Sequence, residues 1–156
     1  MHEAESLNKV AEFHRTFKHP ILNNPTIPDK KRCDLRVALL AEEVKELQDA
    51  VADNNIVEIA DALCDIQYVL AGAILEFGLA DKFKELFDEV HRSNMSKACN
   101  SADEASQTIA HYKAKEGCEA YMHQEDERFL VYRSHDNKTL KSVNYSPADL
   151  KSIIER

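Results

Sequence analysis

Residues 35–65 read Leu35-Arg36-Val37-Ala38-Leu39-Leu40-Ala41-Glu42-Glu43-Val44-Lys45-Glu46-Leu47-Gln48-Asp49-Ala50-Val51-Ala52-Asp53-Asn54-Asn55-Ile56-Val57-Glu58-Ile59-Ala60-Asp61-Ala62-Leu63-Cys64-Asp65. At about 100° per residue, Val37, Leu40, Val44, Leu47 and Val51 fall on one apolar stripe. Glu42, Glu43 and Glu46 lie on the opposite side within an arc of about 100°, which Leu35 and Leu39 share. Asp53-Asn54-Asn55 reads as a turn. The stretch therefore predicts two long helices, over 30–52 and 56–77, folded back on each other.

The second of these helices is apolar nearly all round from residue 62 to 75, as expected of a helix buried on most sides. Yet Glu58, Asp61 and Asp65 share one narrow face of it. An ionised carboxylate in such a place is costly unless it is paired or coordinates metal. No Lys or Arg occurs between Lys45 and Lys82 to neutralise the group from within the hairpin. At about 1.5 Å rise per residue, an antiparallel hairpin sets Glu46 level with Asp61, and Glu42 level with Asp65. Six carboxylates then face one inter-helical space, with metal as the natural counter-charge. Oxygen-only ligation suits Mg²⁺ or Mn²⁺, whereas zinc would call for His or Cys. A di-iron bundle needs Glu-x-x-His on two helices, and no hairpin Glu has a His three residues on. Asp88-Glu89-Val90-His91 is the nearest imitation and lies on another helix. The plainer alternative for Glu42, Glu43 and Glu46 is a solvated helix face.

Outward from the hairpin, residues 3–18 predict a first helix carrying Leu7, Val10, Phe13 or His14, and Phe17. Pro20, Pro25 and Pro28 make residues 19–28 a stiff irregular connection, after which Asp29 caps the second helix. Gly78 closes the third helix, and Asp81 is expected to cap a fourth over about 82–97, with Phe83, Leu86, Phe87 and Val90 on one stripe. Beyond residue 98 the pattern changes. Ser101 and Glu104 form a capping box for a helix over 102–115, ended by Gly117. Residues 119–124, 128–134 and 139–143 read as short strands, and Ser146-Pro147 as the start of a last short helix. The expectation is a mainly α protein: a bundle of four to five helices over 1–98, and a C-terminal helix with a small antiparallel β meander over 99–156.

Three Gly, four Pro and no Trp encode few turns, which agrees with long helices. The 28 acidic residues outnumber the 20 basic ones, for a formal charge of −8. That balance argues against a nucleic acid polymer as partner, but leaves room for a nucleotide held through bound cations. Cys33, Cys64, Cys99 and Cys118 have no zinc-like spacing. Met1-His2-Glu3-Ala4-Glu5 is acidic with no apolar segment after it, and the apolar run of residues 62–75 is too short to span a bilayer. A cytoplasmic location with reduced thiols and no membrane association is expected.

Glu42-Glu43-Val44-Lys45-Glu46 followed by Glu58-Ile59-Ala60-Asp61 resembles the EExxE…ExxD signature of the all-α nucleoside-triphosphate pyrophosphatases, a group of MazG-like, phosphoribosyl-ATP-pyrophosphohydrolase-like and dimeric dUTPase-like enzymes. The spacing is at the short end for that group, and Asp65 resembles an added acid of some members. Val90-His91-Arg92-Ser93-Asn94-Met95-Ser96-Lys97 is similar to a stretch that contacts nucleotide in one branch. Tyr132-Arg133 and the run from Leu140 to Leu150 resemble that branch's C-terminal segment. The resemblance implies Glu43, Glu46, Glu58 and Asp61 as principal ligands of Mg²⁺ or Mn²⁺. It implies Glu42 as holder of a further ion or of the attacking water, with Asp65 in support. Arg92, Asn94 and Lys97 would meet phosphate or sugar, although cations at a helix end also have a plain structural use.

The implied activity is metal-dependent hydrolysis of a nucleoside triphosphate between the α and β phosphates, giving a nucleoside monophosphate and pyrophosphate, in a homodimer or homotetramer. Two alternatives are phosphoribosyl-ATP hydrolysis and a non-catalytic helical module holding a structural ion. No motif encodes the choice of base.

Overall fold

The computed structural model describes residues 4–156. The expected helix start at residue 3 and the acidic reading of Met1-His2-Glu3 lie outside them. The elements run α1 (Ser6–Phe17), α2 (Lys30–Ala52), α3 (Ile56–Glu76), α4 (Ala80–Met95), α5 (Ala102–Glu116), β1 (Ala120–Glu125), β2 (Arg128–Arg133) and α6 (Leu150–Ile154). The protein is therefore mainly α with a small antiparallel sheet, as the sequence predicts. By internal packing the chain divides into two compact units, Met1–Lys84 and Glu85–Arg156. No single helix among the described residues is long and apolar enough to cross a membrane.

In the first unit the hairpin is built by local capping. The Asp29 side chain accepts from the Arg32 amide to start α2, and Asn55 accepts from the Val57 and Glu58 amides to start α3. α3 is the central element, packed on one side by α2 and on another by α1. Val10 and Ala11 of α1 meet Ala71 and Leu75 of α3, with Leu7 and Ile21 beside them. The proline-rich connection is pinned to the end of α3, Leu22 N–H donating to Leu75 O and Thr26 N–H to Phe77 O, each at 3.0 Å. Gly78 is obligatory there. Its φ is +66°, and a Cβ on it would lie 1.9 Å from Asn24 O.

One expectation about burial, that α3 is covered on most sides from residue 62 to 75, is corrected, and the apolar stripe of α2 is largely exposed. The face that α2 turns to α3 carries Arg32, Arg36, Leu39, Glu43, Leu47 and Ala50, all buried or half-buried. Leu47 apart, the apolar stripe points elsewhere, with Val37 67% and Val51 58% exposed. Among the described residues α2 packs principally on α3, and Val37, Val44 and Val51 on its far side are exposed. α3 is buried continuously only over residues 71–76, where α1 and α2 both reach it, while Ile56, Val57 and Leu63 nearer the turn are exposed.

In the second unit, Cys99, Ala105, Val131 and Leu140 form the core, flanked by Ile109, Tyr112 and Phe129. Ser101 caps α5 as expected, its hydroxyl accepting from Glu104 N–H at 3.1 Å. Glu104 reaches back to Asn100 N–H at 2.9 Å rather than to Ser101 itself. Gly117 ends α5 at φ +62°. β1 and β2 pair antiparallel in register Ala120↔Arg133 to Glu125↔Arg128. The expected third strand over 139–143 is reduced to an isolated Tyr132↔Thr139 bridge. Side chains of α5 claim its amides, Tyr112 OH accepting from Lys141 N–H and Thr108 Oγ1 from Val143 N–H. Two helix starts also differ from expectation. Asp81 sits inside the first turn of α4, and Asp149, rather than Ser146, caps α6 through Ser152 N–H. Ser146 is unavailable as a cap because its hydroxyl accepts from Arg92 and its amide donates to Ser96.

Candidate active site

Along α3, Glu58, Asp61, Asp65, Tyr68, Gly72 and Glu76 fall within an arc of about 80°, a single stripe. Opposite it, α2 presents Glu46, Glu42 and Glu43 near the turn, then Leu39, then Arg36 and Arg32. The seam thus runs from carboxylates at the turn end to a paired charge network at the other.

At the carboxylate end, the neighbouring charges that shift Glu43 are all acidic. Burial pushes the Glu43 carboxyl above its ordinary range, and the charges of Glu46, Asp65, Glu42 and Asp61 push it further in the same direction. Asp61 and Asp65 belong to α3, so this repulsion crosses the hairpin and places five of the six expected acids in one field. Glu58 lies one turn nearer the start of α3 and is exposed. Lys45, the cation inside the motif, turns along the helix to Asp49 instead of towards the cluster. The expectation that these acids are buried is corrected: only Glu43 and Asp65 are half-buried, and Glu42, Glu46, Glu58 and Asp61 are exposed. A counter-ion would offset both the burial of Glu43 and the repulsion from its acidic neighbours. Among the described residues no three acidic, His or Cys side chains converge into a ready-made metal cluster. The donor set is all oxygen and acidic, a chemistry that would suit a hard divalent cation.

The sequence reading missed the other end of the seam. Glu76 is 1% exposed and is held by both Arg32 and Arg36. Burial alone would raise its carboxyl, but the hydrogen bonds from Arg36 and Arg32 outweigh it and hold the group below its ordinary value. His14 joins the network. Its Nδ1 donates to Pro20 O at 2.8 Å, since a carbonyl can only accept, and Nε2 therefore faces Arg36 Nη2 at 3.4 Å as a neutral acceptor. Burial, with the Arg36 charge in support, keeps His14 below its ordinary pKa. Gly72 leaves the room this requires, because a Cβ would approach Arg36 Nη1 to 2.7 Å and His14 Nε2 to 3.1 Å. The signal was present in Arg32 and Arg36 one turn apart and in Glu76 closing an apolar run. Both arginines precede Lys45, so they lie outside the stretch between Lys45 and Lys82 that carries no Lys or Arg.

Arg92, Asn94 and Lys97 belong to the second unit. Arg92 clasps Glu89 through Nε and Nη2 at 2.7 and 2.8 Å, and donates to Ser146 Oγ and Pro147 O. Glu89 also accepts from Asp149 N–H. The Arg92 hydrogen bonds, then that amide, draw its carboxyl down to about 2. The guanidinium is therefore already occupied in fastening residues 146–149 to α4. Asn94 donates to Val90 O at 3.0 Å and accepts from Lys97 Nζ at 2.7 Å, so these two are brought together.

The sequence pattern of one family, phosphoribosyl-ATP pyrophosphohydrolase, matches residues 10–94, which span α1 to α3 and nearly all of α4. The chain is also similar to an uncharacterized protein of Acanthamoeba polyphaga mimivirus, at 26% identity over 98% of this chain and 97% of that protein.

Proposed function

We propose that this chain, which belongs to the phosphoribosyl-ATP pyrophosphohydrolase family, is a divalent-metal-dependent nucleoside triphosphate pyrophosphohydrolase. The family consists of MazG-like hydrolases acting on pyrophosphate bonds. The observation that supports the finer reading is the grouping of Glu42, Glu43 and Glu46 of α2 with Asp61 and Asp65 of α3, close enough that acidic charges from both helices add to burial in raising the Glu43 carboxyl. Like charges grouped in this way favour a cation placed among them.

Glu43, Glu46, Glu58 and Asp61 are the residues that would hold Mg²⁺ or Mn²⁺, with Asp65 supporting them. When bound there, the cation supplies charge neutralisation at the phosphates and makes water more acidic. Glu42, exposed and adjacent, orients the attacking water and accepts its proton. The water oxygen forms the new bond to phosphorus, the bridging oxygen leaves with the electron pair, and the products are a nucleoside monophosphate and pyrophosphate. Lys97 and Asn94 are proposed contacts to phosphate or sugar. Arg92 holds the segment around Ser146 in place and takes the same role only if released from Glu89. The uncovered Val37, Val44 and Val51 face supports assembly into a homodimer or homotetramer.

Pyrophosphate release from a nucleotide panel that includes phosphoribosyl-ATP, with and without Mg²⁺, tests the reading. Metal-dependent release from nucleoside triphosphates is expected. Selective turnover of phosphoribosyl-ATP would move the assignment to that substrate, and no release from any member would leave the helical module with a structural ion. Asp61→Asn should reduce release to background, because it removes a negative ligand while keeping size and shape. Lys97→Ala should raise KM without changing metal affinity.

A further inference from the structure

We infer that the aromatic cluster on α1 and α3 is the nucleobase subsite of this active site, a stacking shelf led by Tyr68 that accepts bases with little regard to their identity. The inference rests on the pyrophosphohydrolase reading and adds where the base lies. Tyr68 is on the same stripe of α3 as the carboxylates, one turn beyond Asp65 and two beyond Asp61. At about 1.5 Å per residue, its Cα is displaced along the axis by about 4.5 Å from that of Asp65 and about 10 Å from that of Asp61. A ribose bridges a gap of that order when phosphate is held at the acids.

The rings themselves form an organised surface. Phe13 of α1 is the hub, edge-on to Tyr68 at 5.7 Å and 84°, stacked with His19 at 5.8 Å and 15°, and in contact with Phe17 at 4.4 Å. Tyr68 remains 39% and Phe17 60% exposed although both lie against Phe13. Every ring except Tyr68 comes from α1 or the segment just after it, so the packing of Val10 and Ala11 on Ala71 and Leu75 brings the shelf to the acids. A patch serving only to bury apolar area would be filled by aliphatic side chains as readily. Aromatic faces suit a base because stacking needs a π-surface and no particular hydrogen-bond pattern.

The test is calorimetric binding of adenosine monophosphate and, separately, of inorganic pyrophosphate, each with Mg²⁺, to wild type, Tyr68→Leu and Tyr68→Phe. Tyr68→Leu keeps apolar volume and should weaken adenosine monophosphate by roughly tenfold or more, the effect of losing one base–aromatic stack. Pyrophosphate affinity should not move, and Tyr68→Phe should restore nucleotide binding. The shelf is overturned if wild type does not bind adenosine monophosphate at millimolar concentration, if Tyr68→Leu binds it as wild type does, or if both ligands weaken alike. A change of mass by light scattering in Tyr68→Leu, with binding unchanged, would show instead that a second copy covers the rings. Failure of the hydrolase reading has a different signature: no nucleotide releases pyrophosphate, yet adenosine monophosphate binding still depends on Tyr68.

Discussion

Arg36 of α2 and Glu76 of α3, forty residues apart in sequence, form a buried ion pair at the far end of the seam that carries the catalytic candidates. The pair fixes the rotation of α2 about its axis. Arg36 can meet Glu76 only if its face of α2 looks at α3, and that rotation also turns Glu43 towards Asp61 and Asp65. The same contact that buries two charges therefore assembles the acidic field and leaves Val37 and Val51 outside.

Removing one partner should be severe. Glu76→Gln leaves Arg36 buried without a counter-charge, at a cost of about 3–5 kcal/mol. For a domain of this size that corresponds to a fall in Tm of roughly 6–20 °C. The double variant Arg36→Met/Glu76→Leu should lose less, because Arg32, one quarter exposed, can turn to solvent. Thermal unfolding followed by circular dichroism measures both, and equal losses would show that the charges are not the source of the effect.

Stability should fall in acid in two stages. His14 has a lowered pKa in the folded protein, so below pH 6.5 the unfolded chain takes up a proton that the folded one refuses. Glu76 has a lowered pKa too, so its contribution is complete above pH 4.5 and is lost as pH falls through its folded value. Tm measured from pH 7.5 to 3.5 should show both limbs. His14→Gln should flatten the first while leaving the second, and an unchanged slope between pH 6.5 and 5 would exclude His14 as its origin.

The acidic end has the opposite sign. The pKa of Glu43 is raised by folding, so its ionised form costs stability once pH rises above 4.5. Without metal, Glu43→Gln should therefore melt higher than wild type at pH 7. With millimolar Mg²⁺ the order should reverse, since binding to the folded state stabilises only the protein that keeps its ligands. Paired melts with chelator and with Mg²⁺ decide the matter; a Mg²⁺-induced shift as large in the variant as in wild type would remove Glu43 from the site.

Assembly should depend on the uncovered α2 stripe. Val51→Glu places a charge among Val37, Val44 and Val51 without touching the α3 seam, so it should shift the protein from oligomer to monomer by light scattering while circular dichroism stays unchanged. A wild-type mass already monomeric at micromolar concentration would contradict the proposed self-association.

The hairpin, its cap at Asp29, its turn at Asp53-Asn54-Asn55, the C-terminal glycines and the mainly α class were legible in the chain because each rests on neighbours a few residues apart. Periodicity, capping and turn chemistry act within one or two turns of helix, and the sequence displays them directly. The grouping of acids on faces was legible for the same reason. What the chain alone did not show was the buried ion pairing that accompanies the packing of α2 on α3. The acids were expected to face the space between the helices, but the long-range pairing of Arg32 and Arg36 with Glu76 that accompanies this rotation was not visible in local pattern. Nor did local pattern reveal that amides of residues 141 and 143 would be claimed by Tyr112 and Thr108, reducing an expected strand to a bridge. Periodicity ranks faces by hydrophobicity, whereas a buried charge must find its partner wherever the chain has placed it. That requirement is satisfied between residues forty positions apart, so only the tertiary structure decides it.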